Sequence, residues 1–141
     1  MKKQLFALLG LGLLLATASA YAQTGKLKAD VPFNFAVAGR TLPSGEYTIQ
    51  SEAGVNHALS ISGVGGNPII FLANWCGSLK ASEPTKLVFS RYGDQYFLSQ
   101  VWMAGHDAGY QLRKSRREIE VARELARNHT AETVVVLAEL P

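Results

Sequence analysis

The sequence predicts a mainly β protein, a small antiparallel β-sandwich or barrel of about seven strands with one C-terminal helix. Short apolar or alternating segments recur at intervals of roughly ten residues between turn-forming residues, which is typical of small all-β domains. Residues 86–102 have the pattern of a β-hairpin around a two-residue turn. One stretch, which begins at Ser115, combines a helix-capping sequence with a helical apolar period.

The first 22 residues have the features of an export signal. Two lysines precede an apolar run at residues 5–16, and small residues then offer cleavage after Ala20 or Ala22. The apolar run is shorter than the roughly 20 residues that a transmembrane helix needs. We therefore expect a cleaved signal peptide (residues 1–22), a single domain over residues 23–141, no membrane span after cleavage, and a periplasmic or extracellular location.

The net charge bears on the class of partner, and the cysteine content bears on how the fold is stabilised. The formal net charge is +3 and falls to +1 without the two lysines of the signal, so nothing favours nucleic acid or anionic lipid as a partner. Cys76 is the single cysteine, which excludes an intramolecular disulfide. The chain is long enough to form a hydrophobic core without such a bridge.

Strand patterns fill the first half of the domain. Residues 31–37 alternate apolar with small or polar side chains, which predicts a strand. The Leu-Pro-Ser-Gly sequence at 42–45 fits a type I turn. Further strands are predicted at 46–50 and 58–62. Residues 69–76 form a continuous apolar run, which predicts a strand that is buried on both faces.

The hairpin within residues 86–102 is predicted to lie at the centre of the sheet, with Gly93 and Asp94 in a type II′ turn. That turn sets three pairs of opposed residues: Phe89 with Leu98, Arg91 with Tyr96, and Leu87 with Gln100. Both faces are then at least half apolar. The predicted faces are Leu87, Phe89, Leu98 and Trp102 on one side and Val88, Tyr92, Phe97 and Val101 on the other.

The C-terminal part is predicted to hold the helix. A short strand at 110–112 comes first, and Ser115 and Glu118 then form a capping box. The helix is predicted over residues 116–127, and a strand rich in β-branched residues follows at 133–138. The predicted apolar stripe of the helix consists of Ile119, Ala122, Leu125 and Ala126.

Four motifs together resemble an uncharacterised family of small exported β-rich proteins from soil bacteria. They are Val-Pro-Phe-Asn-Phe at 31–35, Leu-Pro-Ser-Gly-Glu-Tyr at 42–47, Arg-Tyr-Gly-Asp-Gln-Tyr-Phe-Leu at 91–98, and Lys-Ser-Arg-Arg-Glu at 114–118. The resemblance spans most of the domain and implies export and a β-rich fold. It brings no catalytic residues with it.

The sequence contains no recognised catalytic or metal-binding motif. His106 and Asp107 lie on a glycine-flanked loop and are the residue types of a general base and its orienting group, but no nucleophile motif accompanies them. His57 and His129 are far from them in sequence. Cys76 ends an apolar strand, which favours burial as a small hydrophobe over a reactive thiolate. We expect no catalytic residue, no metal and no cofactor.

Aromatic residues supply the predicted binding site. Trp75, Tyr96 and Trp102 offer apolar area, and Arg91 opposite Tyr96 offers a polar anchor, although such aromatic residues more often belong to the core. The sequence thus predicts an exported, non-enzymatic domain that binds a small apolar ligand or an envelope protein, or that has a structural role in the envelope. The alternative is a small envelope hydrolase that uses the His106–Asp107 loop.

Overall fold

The structure, a computed structural model, describes residues 25–52, 57–80, 83–104, 108–127 and 130–139. Three predicted features lie outside these residues. They are the signal peptide, the His106–Asp107 loop and His129.

The described residues form a mainly β fold with one helix, as predicted, but the strands number ten rather than about seven. The strands are β1 (Lys26–Val31), β2 (Phe35–Val37), β3 (Arg40–Leu42), β4 (Gly45–Ser51), β5 (Ala58–Gly63), β6 (Ile69–Ser78), β7 (Lys86–Tyr92), β8 (Gln95–Met103), β9 (Ala108–Leu112) and β10 (Glu132–Leu137). The helix is α1 (Arg116–Leu125). The strand predicted at 31–37 is divided, because Pro32 has no N–H to donate to a ladder.

All ten strands belong to one sheet that is antiparallel except at one pair. Hydrogen-bonded neighbours follow the order β1-β4-β5-β6-β9-β8, and from β8 the sheet continues through β7 to β10. The β2–β3 hairpin joins β8 through the parallel pair of Ala36 and Phe97. The sheet curls until Lys28 of β1 and Glu139, which follows β10, exchange two backbone hydrogen bonds of 2.8 Å.

The core lies on the inner face of this curled sheet. Alternation places one residue in two of each strand inward, so that β1 buries Leu27, Ala29 and Val31 while its lysines point to solvent. The largest fully buried side chains are Phe35, Phe89, Leu27, Ile49, Leu59, Ile61, Leu87, Met103, Val31 and Val101. Among the described residues, no helix has both the length and the apolar content to cross a membrane.

The β7–β8 hairpin agrees with the predicted register near its turn. Phe89 is opposite Leu98, Arg91 is opposite Tyr96, and Gly93 has a φ of +62°. The hairpin is also central as predicted, because β8 pairs with β7, with β9 and with β2.

Beyond Phe89 the predicted register is wrong by one residue. A β-bulge between Val88 and Phe89 shifts the pairing, so that Leu87 faces Val101 instead of Gln100. Val101 therefore enters the core and is fully buried, whereas Trp102 belongs to the outer face of the sheet.

Strand β6 is buried on one face, not on both as predicted. Phe71 and Ala73 lie in the core, whereas Ile70 and Leu72 are 62% and 70% exposed. Cys76, which was predicted to be buried, is also exposed. The apolar run was misleading because no element of the described structure packs over this outer face.

The helix packs on the outer face of the sheet at the turn end of the β7–β8 hairpin. The Ser115 hydroxyl caps it by accepting a hydrogen bond of 3.2 Å from the Glu118 amide, as predicted. Its buried side is centred on Glu118 and Val121, so the predicted stripe around Ile119 is rotated. The small second core under the helix consists of Tyr92, Phe97 and Val121, with Ala36, Ala122 and Leu125 at its margin.

Candidate functional site

A cavity of about 380 Å³ forms a cleft between the β3–β4 turn and the β5–β6 turn. We call it the β4–β6 cleft. Its lining is mostly apolar and combines core residues with turn residues. The lining residues are Leu42, Pro43, Ser44, Gly45, Glu46, Tyr47, Ile61, Gly63, Val64, Gly66, Asn67 and Ile69.

The floor of the cleft is fixed by packing. Tyr47 is buried and contacts Phe35 edge-on, with ring centroids 5.1 Å apart. Its hydroxyl donates a hydrogen bond of 2.5 Å to the Pro43 carbonyl. A Cβ atom on Gly63 would lie 3.2 Å from the tyrosine ring, so the glycine leaves room for it. Burial raises the pKa of Tyr47, which keeps the hydroxyl neutral at physiological pH.

The mouth of the cleft carries the polar groups. Ser44, Glu46 and Asn67 line it and are exposed, and Glu46 forms a salt bridge of 2.5 Å with Lys28. The cleft therefore has an apolar interior with a few polar groups at its rim, which is the usual composition of a small-molecule site.

Val64 is the unusual member of this lining. It lies on the β5–β6 turn, lines the cleft, and is 90% exposed. The turn is tight: Gly65 has a φ of +72°, and the Gly66 amide donates to the Gly63 carbonyl at 3.3 Å. A fully exposed aliphatic side chain at the edge of an apolar cleft is a surface that a bound molecule would remove from water.

A second, smaller cavity of about 140 Å³ lies between the β2–β3 hairpin, the β7–β8 turn and the start of α1. We call it the hairpin-tip pocket. Its lining residues are Asn34, Phe35, Ala36, Gly39, Thr41, Asp94, Gln95, Tyr96, Phe97, Ser115 and Arg117.

Two of the predicted binding residues, Arg91 and Tyr96, lie together at this end of the hairpin. The Arg91 guanidinium carbon is 5.5 Å from the centre of the Tyr96 ring, and Arg91 also lies 3.6 Å from the Glu132 carboxylate. The Tyr96 ring stacks on Phe33 with a centroid distance of 3.9 Å. Tyr96 lines the hairpin-tip pocket, so it is the predicted residue that the structure places at a cavity.

Trp102 lies near the other end of β8, roughly 20 Å from Tyr96 at about 3.3 Å per strand residue. Its ring covers Gly109 and approaches Gly77, and its indole N–H donates to the Gln100 side chain at 3.0 Å. Lys86 lies 5.7 Å from the ring centre. Trp102 thus shields glycine backbone on the outer face of the sheet.

The remaining predicted binding residue, Trp75, pairs with Tyr110 on β9 and is 59% exposed. The structure therefore groups Arg91 with Tyr96 and separates Trp102 from them. Cys76 beside Trp75 is not an activated nucleophile, because desolvation raises the pKa of its thiol.

Charged groups that suit catalysis are sparse in the described part of the chain. There, no cluster of three or more histidine, cysteine, aspartate or glutamate side chains has the geometry to hold a metal ion. Glu118 is buried, and its carboxylate accepts a hydrogen bond of 3.1 Å from the Tyr92 hydroxyl. Desolvation raises the pKa of both groups.

The cleft residues were not predicted as a site from the sequence, although two signals pointed to them. The Leu-Pro-Ser-Gly sequence at 42–45 was predicted as a turn, and residues 63–66 include three glycines, which are typical of turns. Their juxtaposition follows from the pairing of β4 with β5 and of β5 with β6, which brings the two turns to one edge of the sheet.

Comparison of the sequence and structure with models of protein families, with curated proteins and with solved structures finds no match.

Proposed function

We propose that this chain is an exported, non-enzymatic β domain that binds a small, mainly apolar molecule in the β4–β6 cleft. The observation that supports this most directly is the exposure of Val64 at the edge of an apolar cleft whose floor is the protein core. Export is proposed from the charged start, apolar run and small-residue cleavage sites of the first 22 residues.

The size and lining of the cleft define the class of ligand. Its volume of about 380 Å³ falls within the range of roughly 300–1,000 Å³ that small-molecule sites occupy. Burial of apolar area contributes about 25 cal/mol per Å², so the aliphatic walls favour an apolar body. The polar groups at the mouth, Ser44 and Asn67, favour a molecule with one polar end that stays near solvent.

The apolar lining of the β4–β6 cleft favours binding over the hydrolase alternative. The cleft is lined by described residues and has a neutral phenol as its buried polar group. The hydrolase alternative depends on His106 and Asp107, which lie outside the described residues. The alternative binding role is a protein partner at the exposed outer face of β6.

The test uses N-phenyl-1-naphthylamine, a neutral apolar dye whose fluorescence rises in an apolar site. We expect the purified protein to bind it, and Val64→Asn to weaken binding by roughly fivefold to tenfold, because one aliphatic contact is lost. The matched control is Leu72→Asn, which removes another largely exposed aliphatic side chain, outside the cleft. Dye binding that Leu72→Asn reduces and Val64→Asn does not would contradict the cleft as the site.

Native mass spectrometry of protein from its own cell envelope tests export and binding together. We expect a chain that begins near Tyr21 or Gln23 and carries a retained small molecule. Recovery of folded, exported protein that still has Met1 would overturn the cleavage proposal. A bare chain that hydrolyses esters or peptides, and loses this activity on His106→Ala, would replace the binding function with catalysis.

A further inference from the structure

The hairpin-tip pocket joins three separate parts of the chain. The β2–β3 hairpin forms one wall, the β7–β8 turn forms the second, and the start of α1 forms the third. The sheet is interrupted here, because β2 and β8 share one ladder pair, Ala36 with Phe97. The pocket is the space that this incomplete pairing leaves between the two hairpins.

Opposite charges line this space without neutralising each other. Asp94 comes from the β7–β8 turn and Arg117 from the first turn of α1. Within the described part of the chain neither side chain takes part in a salt bridge, so the carboxylate and the guanidinium are more than 4.0 Å apart. Two unlike charges at one cavity can both be satisfied by a single molecule that carries both signs.

The rest of the lining combines apolar side chains that are held in place with four polar residues, Asn34, Thr41, Gln95 and Ser115. Phe97 is buried, and the Tyr96 ring stacks on the Phe33 ring at 3.9 Å and lies 5.5 Å from the Arg91 guanidinium carbon. Such a wall needs little rearrangement to receive a small alkyl group.

The volume limits the occupant. The pocket volume of about 140 Å³ is below the roughly 300–1,000 Å³ of sites that hold drug-sized ligands. This suits a molecule of about five to seven non-hydrogen atoms, which is the size of glycine, alanine or serine. A metal ion or a long acyl chain would leave one of the two charges unmatched.

We propose that the hairpin-tip pocket binds a small zwitterion of α-amino acid size, with its carboxylate at Arg117, its ammonium group at Asp94 and its side chain toward Tyr96. Both charged residues are exposed, so binding is weak and falls with rising salt. The site is separate from the β4–β6 cleft, since the two cavities share no lining residue.

The test is an NMR titration of the purified protein with alanine. We expect saturable shifts of the Gly93, Gln95 and Arg117 amides, with a dissociation constant in the millimolar range. Asp94→Asn and Arg117→Gln should each weaken alanine binding about tenfold or more, because each removes a charge-assisted contact. The matched controls Asp30→Asn and Arg116→Gln change exposed charges outside the pocket and should leave alanine binding unchanged.

Acetate and ethylamine, which each carry one of the two charges, should bind at least about tenfold more weakly than alanine. The proposal is overturned if alanine produces no saturable shifts, if acetate binds as well as alanine, or if the controls weaken binding as much as the pocket variants. Val64→Asn should not alter alanine binding, so failure of the cleft proposal and failure of this one are distinguishable.

Discussion

The outer surface of the sheet contains two apolar regions, of which one is buried under the helix and the other is exposed to solvent. At the turn end of the β7–β8 hairpin, Tyr92 and Phe97 point outward and are buried under α1, with 7% and 4% exposure. On β6, Ile70 and Leu72 also point outward, but they remain 62% and 70% exposed. Both pairs have the same place in the strand alternation, so burial depends on whether another element covers the strand.

The helix α1 covers β7 and β8 and leaves the outer face of β6 exposed. Three residues, 113–115, separate β9 from α1, and β9 pairs with β8. A helix on so short a connection begins beside β9, which lies between β8 and β6, and it packs on the β8 side. The Ser115 cap fixes its start, and Val121 and Leu125 then meet Tyr92 and Phe97. The β6 face is left without a covering element in the described structure.

The largest expected difference between the two regions concerns stability. Phe97→Ala should lower the free energy of unfolding by about 3–5 kcal/mol, because it leaves a cavity between the sheet and the helix. Leu72→Ala is the matched change on the uncovered face and should cost less than about 1 kcal/mol. Urea unfolding of both variants measures the contrast. Equal losses would show that β6 is covered in solution.

A third region of the outer surface is covered by a single side chain of the sheet itself. The Trp102 ring lies over Gly109, where a Cβ atom would come within 2.3 Å of it. Gly109→Ala must therefore displace the indole and should cost about 1–3 kcal/mol. In the Trp102→Ala background the same change should cost much less, since the ring is gone.

The two single variants and the double variant at these positions form a double-mutant cycle, measured by chemical unfolding. A coupling of about 1 kcal/mol or more is expected for residues in such close contact. Additive effects of Gly109→Ala and Trp102→Ala would contradict the close contact. Gly63→Ala is a useful comparison. Its new Cβ atom would lie 3.2 Å from the Tyr47 ring, so this substitution should lower stability less than Gly109→Ala does.

Features that depend on residues close together in the sequence were predicted well, and features that depend on distant residues were not. The Gly-Asp turn fixes the register of its neighbours locally, so Phe89–Leu98 and Arg91–Tyr96 were predicted correctly. The bulge at Val88 is not marked by a glycine or a proline, and the register beyond it was wrong. β1 was not predicted, although its Lys-Leu-Lys-Ala-Asp-Val sequence alternates with a period of two.

The candidate sites show the same limit. The turn at 42–45 was predicted, but its proximity to the β5–β6 turn is set by strand pairing across the sheet. Asp94 and Arg117 are 23 positions apart and meet at one pocket because the helix packs beside the hairpin turn. Cys76 and Leu72 were expected in the core because an apolar run alone cannot tell a covered face from an uncovered one.

The smallest expected effect concerns the polar contact within the covered region. The buried Glu118 carboxylate accepts a hydrogen bond from Tyr92, and desolvation raises its pKa despite that bond and the nearby Lys114 charge. A carboxyl group whose pKa is raised by folding binds its proton more tightly in the folded protein than in the unfolded chain. Its contribution to stability is therefore full below the ordinary pKa of about 4.3 and is lost as pH rises through the raised value.

Glu118→Gln retains an oxygen that can accept the Tyr92 hydrogen bond but removes the ionisation. We expect it to flatten the fall in unfolding free energy as pH rises from about 4.3 toward neutrality, and to change stability at pH 7 by about 1 kcal/mol in the favourable direction. Glu120→Gln is the matched control, because Glu120 lies on the exposed side of the same helix. Thermal unfolding across this pH range measures both. An identical pH dependence in the Glu118→Gln variant and the parent protein would show that the carboxylate is solvated, and hence that the helix does not seal this face of the sheet.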